Sequence, residues 1–315
     1  MSLAHYRSIA IAAALSLTFA AGVHAADGAK PAEPAPPAAA KPQRAKPAGR
    51  DNLAYPPKLD GAEVQVYKTI GDVKLNAYIY KPADWKASDK RPAIVFFFGG
   101  GWTSGSPGQF EQHCKHLASR GMMAITADYR VKSRQGVTPV ECVNDAKSAV
   151  RWARANAEKL GIDPDRIAAG GGSAGGHIAA CTGVLDTFDD AAEDAKISSK
   201  PNAMVLYNPA LDIALIADRL GDVAPKLSPL QHVKAGVAPT IIFHGKADTT
   251  VPYASAERFE TAMKAAGNAC KLVGYEGQIH GFFNYGRGDG SMYKATLAET
   301  DQFLVSLGWL KAAAK

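Results

Sequence analysis

The sequence predicts an α/β fold with a mostly parallel central sheet, an antiparallel hairpin at its start, and helices on both faces. Two patterns carry that expectation. Six short apolar runs, at residues 93–98, 122–127, 167–169, 203–207, 240–244 and 270–275, are separated by helical segments. Continuous apolar runs of this length fit strands buried on both faces, and their alternation with helices argues a parallel sheet. Ahead of them, residues 64–69 and 73–80 alternate apolar and polar with a period of two around Gly71 and Asp72, which reads as a hairpin at a more exposed edge.

The helices between the runs are expected at 109–119, 139–159, 175–185, 253–266 and 292–307. The second has a defined start. Thr138 supplies a cap, Pro139 fits the first turn, and Cys142, Ala146, Ala149 and Ala153 recur at helical spacing. Asp163, Pro164 and Asp165 read as a turn into the next strand. The only sizeable insertion expected after the 175–185 helix is about 30 residues, 208–238, with an amphipathic stretch and Ser228-Pro229. That is too little chain for a large lid and favours an open pocket.

The chain has 315 residues, of which 47% are hydrophobic and 21% charged, ordinary values for a globular protein with a sizeable core. Its net charge of +6 is modest, and half of it lies in the first 57 residues. No basic stripe interleaved with aromatics is present in the remainder, which argues against nucleic acid as a partner. Residues 1–25 read as a signal peptide. Arg7 precedes an apolar stretch of about 15 residues, too short for a spanning helix, and Val23-His24-Ala25 offers small residues for cleavage. A secreted or periplasmic protein, without stable membrane insertion after cleavage, is the expectation. Residues 26–59 are rich in proline, alanine and lysine and read as a disordered spacer, dispensable through Pro57. One folded domain is expected over 60–312.

Four cysteines, Cys114, Cys142, Cys181 and Cys270, allow three pairings. Export permits disulfides, and the positions of Cys114 and Cys142 near helix starts favour that pair slightly over buried free thiols. The run His113-Cys114-Lys115-His116 lacks further ligands nearby and reads as packing and surface, not as a metal site.

The chemistry centres on Gly171-Gly172-Ser173-Ala174-Gly175, a G-x-S-x-G pattern after an apolar run. Such a serine stands on a sharp strand-to-helix turn, where flanking glycines avoid clashes. A serine nucleophile needs a base and a group to orient that base. Asp248 follows the 240–244 run about 75 residues later, and His280 follows the last run a further 32 residues on. In a parallel sheet the carboxyl ends of the strands share one edge, so all three can meet there. His177 and His244 compete as bases but read as packed residues, and Asp212 competes with Asp248 as the acid. Upstream, residues 96–98 run into Gly99-Gly100-Gly101-Trp102. Gly100 and Gly101, with Ala174, are candidate backbone donors to an oxyanion, and Trp102 is a candidate pocket wall. No Lys-Ser/Thr pair follows 171–176, so this is not a phosphate-binding loop.

FGGGW (98–102), GGGSAGGH (170–177), HGKADTTVP (244–252) and IHGF (279–282) together resemble the α/β-hydrolase esterases, nearest to the bacterial acetyl-xylan-esterase-like and feruloyl-esterase-like groups. The resemblance implies the α/β-hydrolase fold and a serine carboxylesterase acting on short acyl esters, including acetyl groups of plant polysaccharides. It implies no cofactor or metal, and a small-molecule or carbohydrate ester as substrate. Many relatives carry histidine before the three glycines, where this chain has Phe98, so a polar support of the loop is lost. A prolyl-oligopeptidase-type peptidase uses the same residues, although no propeller-like region is present. A binding domain that kept the fold is disfavoured by the intact Ser, Asp and His.

Overall fold

The computed structural model describes residues 55–213 and 223–312. The signal peptide and most of the spacer expected from the sequence lie outside these residues. Eight strands form one sheet: β1 (Glu63–Ile70), β2 (Val73–Tyr80), β3 (Arg91–Phe97), β4 (Met123–Ala127), β5 (Ile162–Gly172), β6 (Ala203–Tyr207), β7 (Thr240–Gly245) and β8 (Cys270–Tyr275). Their spatial order is β1-β2-β4-β3-β5-β6-β7-β8. The first two strands form the expected hairpin, β2 runs antiparallel to β4, and every pairing from β4 to β8 is parallel. The carboxyl ends of β5, β7 and β8 therefore open on one edge.

The helices are α1 (Glu111–Ser119), α2 (Lys132–Gln135), α3 (Pro139–Ala155), α4 (Ala157–Leu160), α5 (Ala174–Val184), α6 (Ala224–Leu227), α7 (Tyr253–Ala265) and α8 (Ser291–Ser306). Strand alternation divides the core in two. Ala93, Val95 and Phe97 pack with α3, α5 and α7, while Ile94 and Phe96 pack with α1 and with Leu304 of α8. Thr138 caps α3 and, with Glu141, forms a full capping box.

Four expectations change. The single helix expected over 139–159 is divided at Asn156. The Asp163–Asp165 turn lies within β5, whose register against β3 jumps from Arg91↔Ile162 to Ala93↔Ile167 and so accommodates the extra residues as a bulge. All four cysteines are free. Cys142 belongs to the core on the α3 side and Cys114 to the core on the α1 side, so the sheet separates them. Finally, the end of the spacer packs on the domain: Leu59 borders the α1-side core, and the Arg134 guanidinium lies 3.9 Å over the Tyr55 ring.

The connection from α5 to β6, residues 185–202, is a second sizeable insertion beside the 208–238 stretch named from the sequence. It is latched to α3 by Arg151, paired with Asp189 and Glu193, and by Lys147, which donates to the carbonyls of Leu185 and Thr187.

All eleven residues of α5 are buried, which demands small side chains at its contacts. A Cβ at Gly175 would lie 2.1 Å from the Phe97 carbonyl oxygen and 2.4 Å from that of Phe98. A Cβ at Gly183, later in the same helix, meets only the flexible Met204 side chain, at 2.6 Å. Gly175→Ala is expected to cost about 3 kcal/mol or more and Gly183→Ala about 1 kcal/mol or less. Urea midpoints measure the difference, and equal losses would show that backbone crowding at the turn does not select Gly175.

Candidate active site

Ser173 sits between β5 and α5 with φ 55° and ψ −119°, a conformation that non-glycine residues avoid. Its N–H is held by the Tyr207 carbonyl at 2.9 Å, and its own carbonyl accepts from His177 N–H at 2.9 Å. Glycines around it make room. A Cβ at Gly171 would meet the Gly175 carbonyl at 2.5 Å, and one at Gly172 would meet the Phe283 ring at 2.5 Å. The serine hydroxyl is thereby presented above the sheet edge, half-buried.

His280, in the loop after β8, places Nε2 2.9 Å from Ser173 Oγ. Its Nδ1 lies 2.7 Å from Asp248 Oδ2, in the turn after β7. The two loops are joined through their backbones: Ala247 N–H donates to Gln278 O at 3.0 Å and Lys246 N–H to Tyr275 O at 2.9 Å. Asp248 is buried, and burial alone would push its carboxyl up. Hydrogen bonds from His244 and His280 and from the Val251 N–H outweigh that and hold it well below the usual carboxylate range. Its Oδ1 accepts from Thr250 and Val251 N–H at 2.8 and 2.9 Å. An ionised carboxylate only accepts, so the His280 proton resides on Nδ1 and Nε2 is left to accept from the serine hydroxyl.

The competing residues fall elsewhere. Asp212 pairs with Arg258 at 2.7 Å. His244 is buried, with Nε2 3.0 Å from the Val251 carbonyl and 3.4 Å from Asp248 Oδ2, so it supports the acid. His177 is buried beneath the turn. It accepts from Trp102 Nε1 at 3.1 Å and, through Nε2–H, donates to Leu227 O at 2.7 Å. Trp102 is only 6% exposed and stands edge-on to the His177 ring. Its indole supports the glycine loop from below; it does not form an open wall.

Gly100 and Gly101 are exposed and adopt φ 132° and 62°, and Gly99 lies against the elbow. A Cβ at Gly99 would be 3.3 Å from Ser173 Cβ. Ala174 opens α5, where a helix leaves its first N–H groups without intrahelical partners. The glycine loop meets the serine through Gly99, so the candidate donors Gly100, Gly101 and Ala174 stand on two separate elements that join at the elbow. Polar support for the loop, expected to be weakened by Phe98, comes from other residues. Phe98 stacks on Tyr129 with centroids 4.1 Å apart, and the Tyr129 hydroxyl donates to the Phe98 carbonyl at 2.7 Å. Arg134 donates to Gly105 O at 2.8 Å.

Sequence reasoning missed Gln109, Asn208 and Asn284. Gln109 Oε1 accepts from Gly99 N–H at 2.6 Å, and Asn208, with φ 34°, accepts from Gly281 N–H at 2.9 Å. The string Asn208-Pro209 after β6 marked a strand end, but nothing local tied it to the loop of His280.

The BD-FAE family model matches residues 78–221. Esterase LipC of Mycobacterium tuberculosis is 29% identical over 228 residues, covering 63% of this chain and 56% of that protein. The probable carboxylic ester hydrolase LipM of the same organism is 28% identical over 251 residues, covering 70% and 57%. The chain thus spans a little over half the length of these relatives. Among solved structures, Thermogutta terrifontis esterase 2 phosphorylated by paraoxon is 54% identical with a TM-score of 0.80, covering 83% of this chain and all of that one. The same enzyme with propionate bound matches with 52% identity and the same TM-score and coverage.

The buried imidazoles predict an acid limb of stability. Burial lowers His177 to about 4, against the bond to Leu227 O, and burial lowers His113 to about 3. Below about pH 6.5 the unfolded chain takes up these protons first, so stability complete above that pH is lost as pH falls toward the folded values. Thermal midpoints should fall steadily from pH 6.5 to 4, and His113→Leu should flatten that slope. A slope unchanged in His113→Leu would remove His113 from the account.

Proposed function

The chain belongs to the α/β-hydrolase esterases, and from that premise we propose that it is a serine carboxylesterase hydrolysing short acyl esters. The hydrogen-bonded line from Ser173 Oγ through His280 to Asp248, at 2.9 and 2.7 Å, carries the reading. In this reading Ser173 Oγ attacks the acyl carbonyl while His280 Nε2 takes its proton. The N–H groups of Gly100, Gly101 and Ala174 stabilise the charge that develops on the carbonyl oxygen. Nε2 then delivers the proton to the departing alcohol, which leaves an acyl group on Ser173. Water attacks that acyl group with Nε2 again as base, releasing the acid and restoring the serine. Asp248 fixes the imidazole tautomer and stabilises the imidazolium formed in each step.

Short acyl groups are favoured because the similar esterase 2 has been seen with propionate and with butyrate bound. Acetyl esters on plant polysaccharides fall within that class and are the carbohydrate substrate we propose. A signal-like segment at residues 1–25 supports action outside the cytoplasm. The described residues contain no helix long and apolar enough to cross a membrane.

Ser173→Ala is expected to lower kcat for p-nitrophenyl butyrate by about 10⁴-fold or more, from the size of comparable nucleophile losses. Paraoxon should inactivate the wild type stoichiometrically, with a diethylphosphoryl adduct on the peptide containing Ser173. Rates should decline beyond the butyrate ester in a chain-length series run beside acetylated xylan. Wild-type activity in Ser173→Ala would refute the nucleophile, and preference for a prolyl-peptide substrate over every ester would refute the esterase.

A further inference from the structure

Two amide side chains bridge the glycine loop and the loop of His280. Gly99 N–H donates to Gln109 Oε1 at 2.6 Å, and Gln109 Nε2 donates to Asn284 Oδ1 at 2.8 Å. Asn284 Nδ2 then donates to Gly281 O at 2.8 Å, and Gly281 N–H donates to Asn208 Oδ1 at 2.9 Å. Gly281 adjoins His280 in the chain, and Gly99 adjoins Gly100. The line therefore runs from the end of β3 through the loop after β8 to Asn208 after β6, joining residues 175 positions apart in sequence at its middle bond.

The polarity of this line is set at both ends. A backbone N–H can only donate and a backbone carbonyl can only accept, so Gly99 fixes Oε1 of Gln109 and Gly281 O fixes Nδ2 of Asn284. The middle bond is then donor to acceptor without choice, and turning either amide over would set like groups against each other. Gln109 itself is held in a short 3-10 turn, Pro107–Phe110, capped by Ser106. The Pro107 carbonyl accepts from Thr126 Oγ1 at 2.8 Å, and the Phe110 ring stacks on Phe96 at 4.6 Å. The anchor is capped, hydrogen-bonded and packed, whereas the two loops it joins are not regular structure.

We propose that Gln109 and Asn284 are positioning residues that lock the oxyanion loop to the general-base loop, so that the two keep one relative geometry through both half-reactions. The proposal rests on the reading of Ser173, His280 and the glycine loop given above. Neither amide touches the reacting atoms. Each acts through the backbone of a residue beside a group that does. Displacement of such groups by about 1 Å costs up to about a hundredfold in rate.

The test is a double-mutant cycle with Gln109→Met, Asn284→Ala and the pair together, using p-nitrophenyl butyrate, with Ser173→Ala in parallel and thermal midpoints for each. Each single variant should lose about tenfold to a hundredfold in kcat, with KM changed by no more than about twofold, well below its melting temperature. The pair should lose no more than the worse single variant, because either change breaks the same line. Wild-type kcat in both singles, with a lowered thermal midpoint alone, would reduce the amides to a stabilising role and overturn the proposal. Losses that multiply in the pair would also overturn it. Should Gln109→Met fail to fold, Asn284→Ala reads the same bond from its other end. Activity retained in Ser173→Ala would instead show that the underlying site is wrong, an outcome distinct from failure of the line.

Discussion

The backbone turn at Ser173 is the constraint around which the rest of the molecule is arranged. A φ of 55° with ψ of −119° on a residue with a side chain costs about 1–3 kcal/mol, and it persists only if its surroundings leave no alternative. They do so by crowding. The Gly175 backbone lies so near the Phe97 and Phe98 carbonyls that a Cβ there would sit 2.1 and 2.4 Å away. The elbow is thereby pressed between the end of β3 and the first turn of α5. The same contact brings the glycine loop, which continues β3, against the serine. Strain at the serine and the position of the candidate oxyanion donors are consequently one packing problem. The complete burial of α5 against the middle strands of the sheet supplies the stability that holds it.

Charge is arranged with similar economy. The site keeps one buried anion, Asp248, and surrounds it with donors: two backbone N–H groups, His244 and His280. A buried carboxylate satisfied in this way stays ionised, and its remaining unsatisfied demand is for the positive charge that His280 acquires when it takes a proton. The buried imidazole of His177 is kept neutral by burial, against the pull of the Leu227 carbonyl on its Nε2–H, while its Nδ1 accepts from Trp102. It adds no charge near the serine. It instead ties Trp102 of the glycine loop to α5 and to the Leu227 carbonyl, so the loop, the elbow helix and the segment after β6 are held together.

The strands and the placement of Ser173, Asp248 and His280 at one sheet edge were legible because each is written in a local string: an apolar run followed by glycines or by a polar turn. The elements that escaped sequence reading are the ones whose partners are remote. Gln109 meets Asn284 across 175 positions, and Asn208 meets Gly281 across 73. No periodicity records such a pair. The preference for a Cys114–Cys142 bridge failed for a related reason. Helix position along the chain does not say which face of the sheet a helix covers, and α1 and α3 cover opposite ones. The bulge within β5 was hidden because Asp163-Pro164-Asp165 is turn chemistry wherever it stands, and only the partner strand shows that pairing resumes on both sides.

Phe98 shows how the fold answers a change that looked like a loss. A histidine before the three glycines would offer a polar anchor, and phenylalanine cannot. Here the Phe98 ring stacks on Tyr129, and the Tyr129 hydroxyl takes over the polar work by donating to the Phe98 carbonyl. Arg134 holds the other side of the loop at Gly105 O, and it is sandwiched in turn between Phe98, 5.8 Å from its guanidinium carbon, and the ring of Tyr55 at 3.9 Å. Tyr55 thus covers the arginine that fixes the glycine loop, and cation–π contacts of this kind strengthen as water is excluded. Composition made residues 26–59 a spacer throughout, yet its last residues complete the support of the loop. Packing on the domain therefore reaches back to Tyr55, whose ring covers the arginine that donates to the glycine loop at Gly105 O.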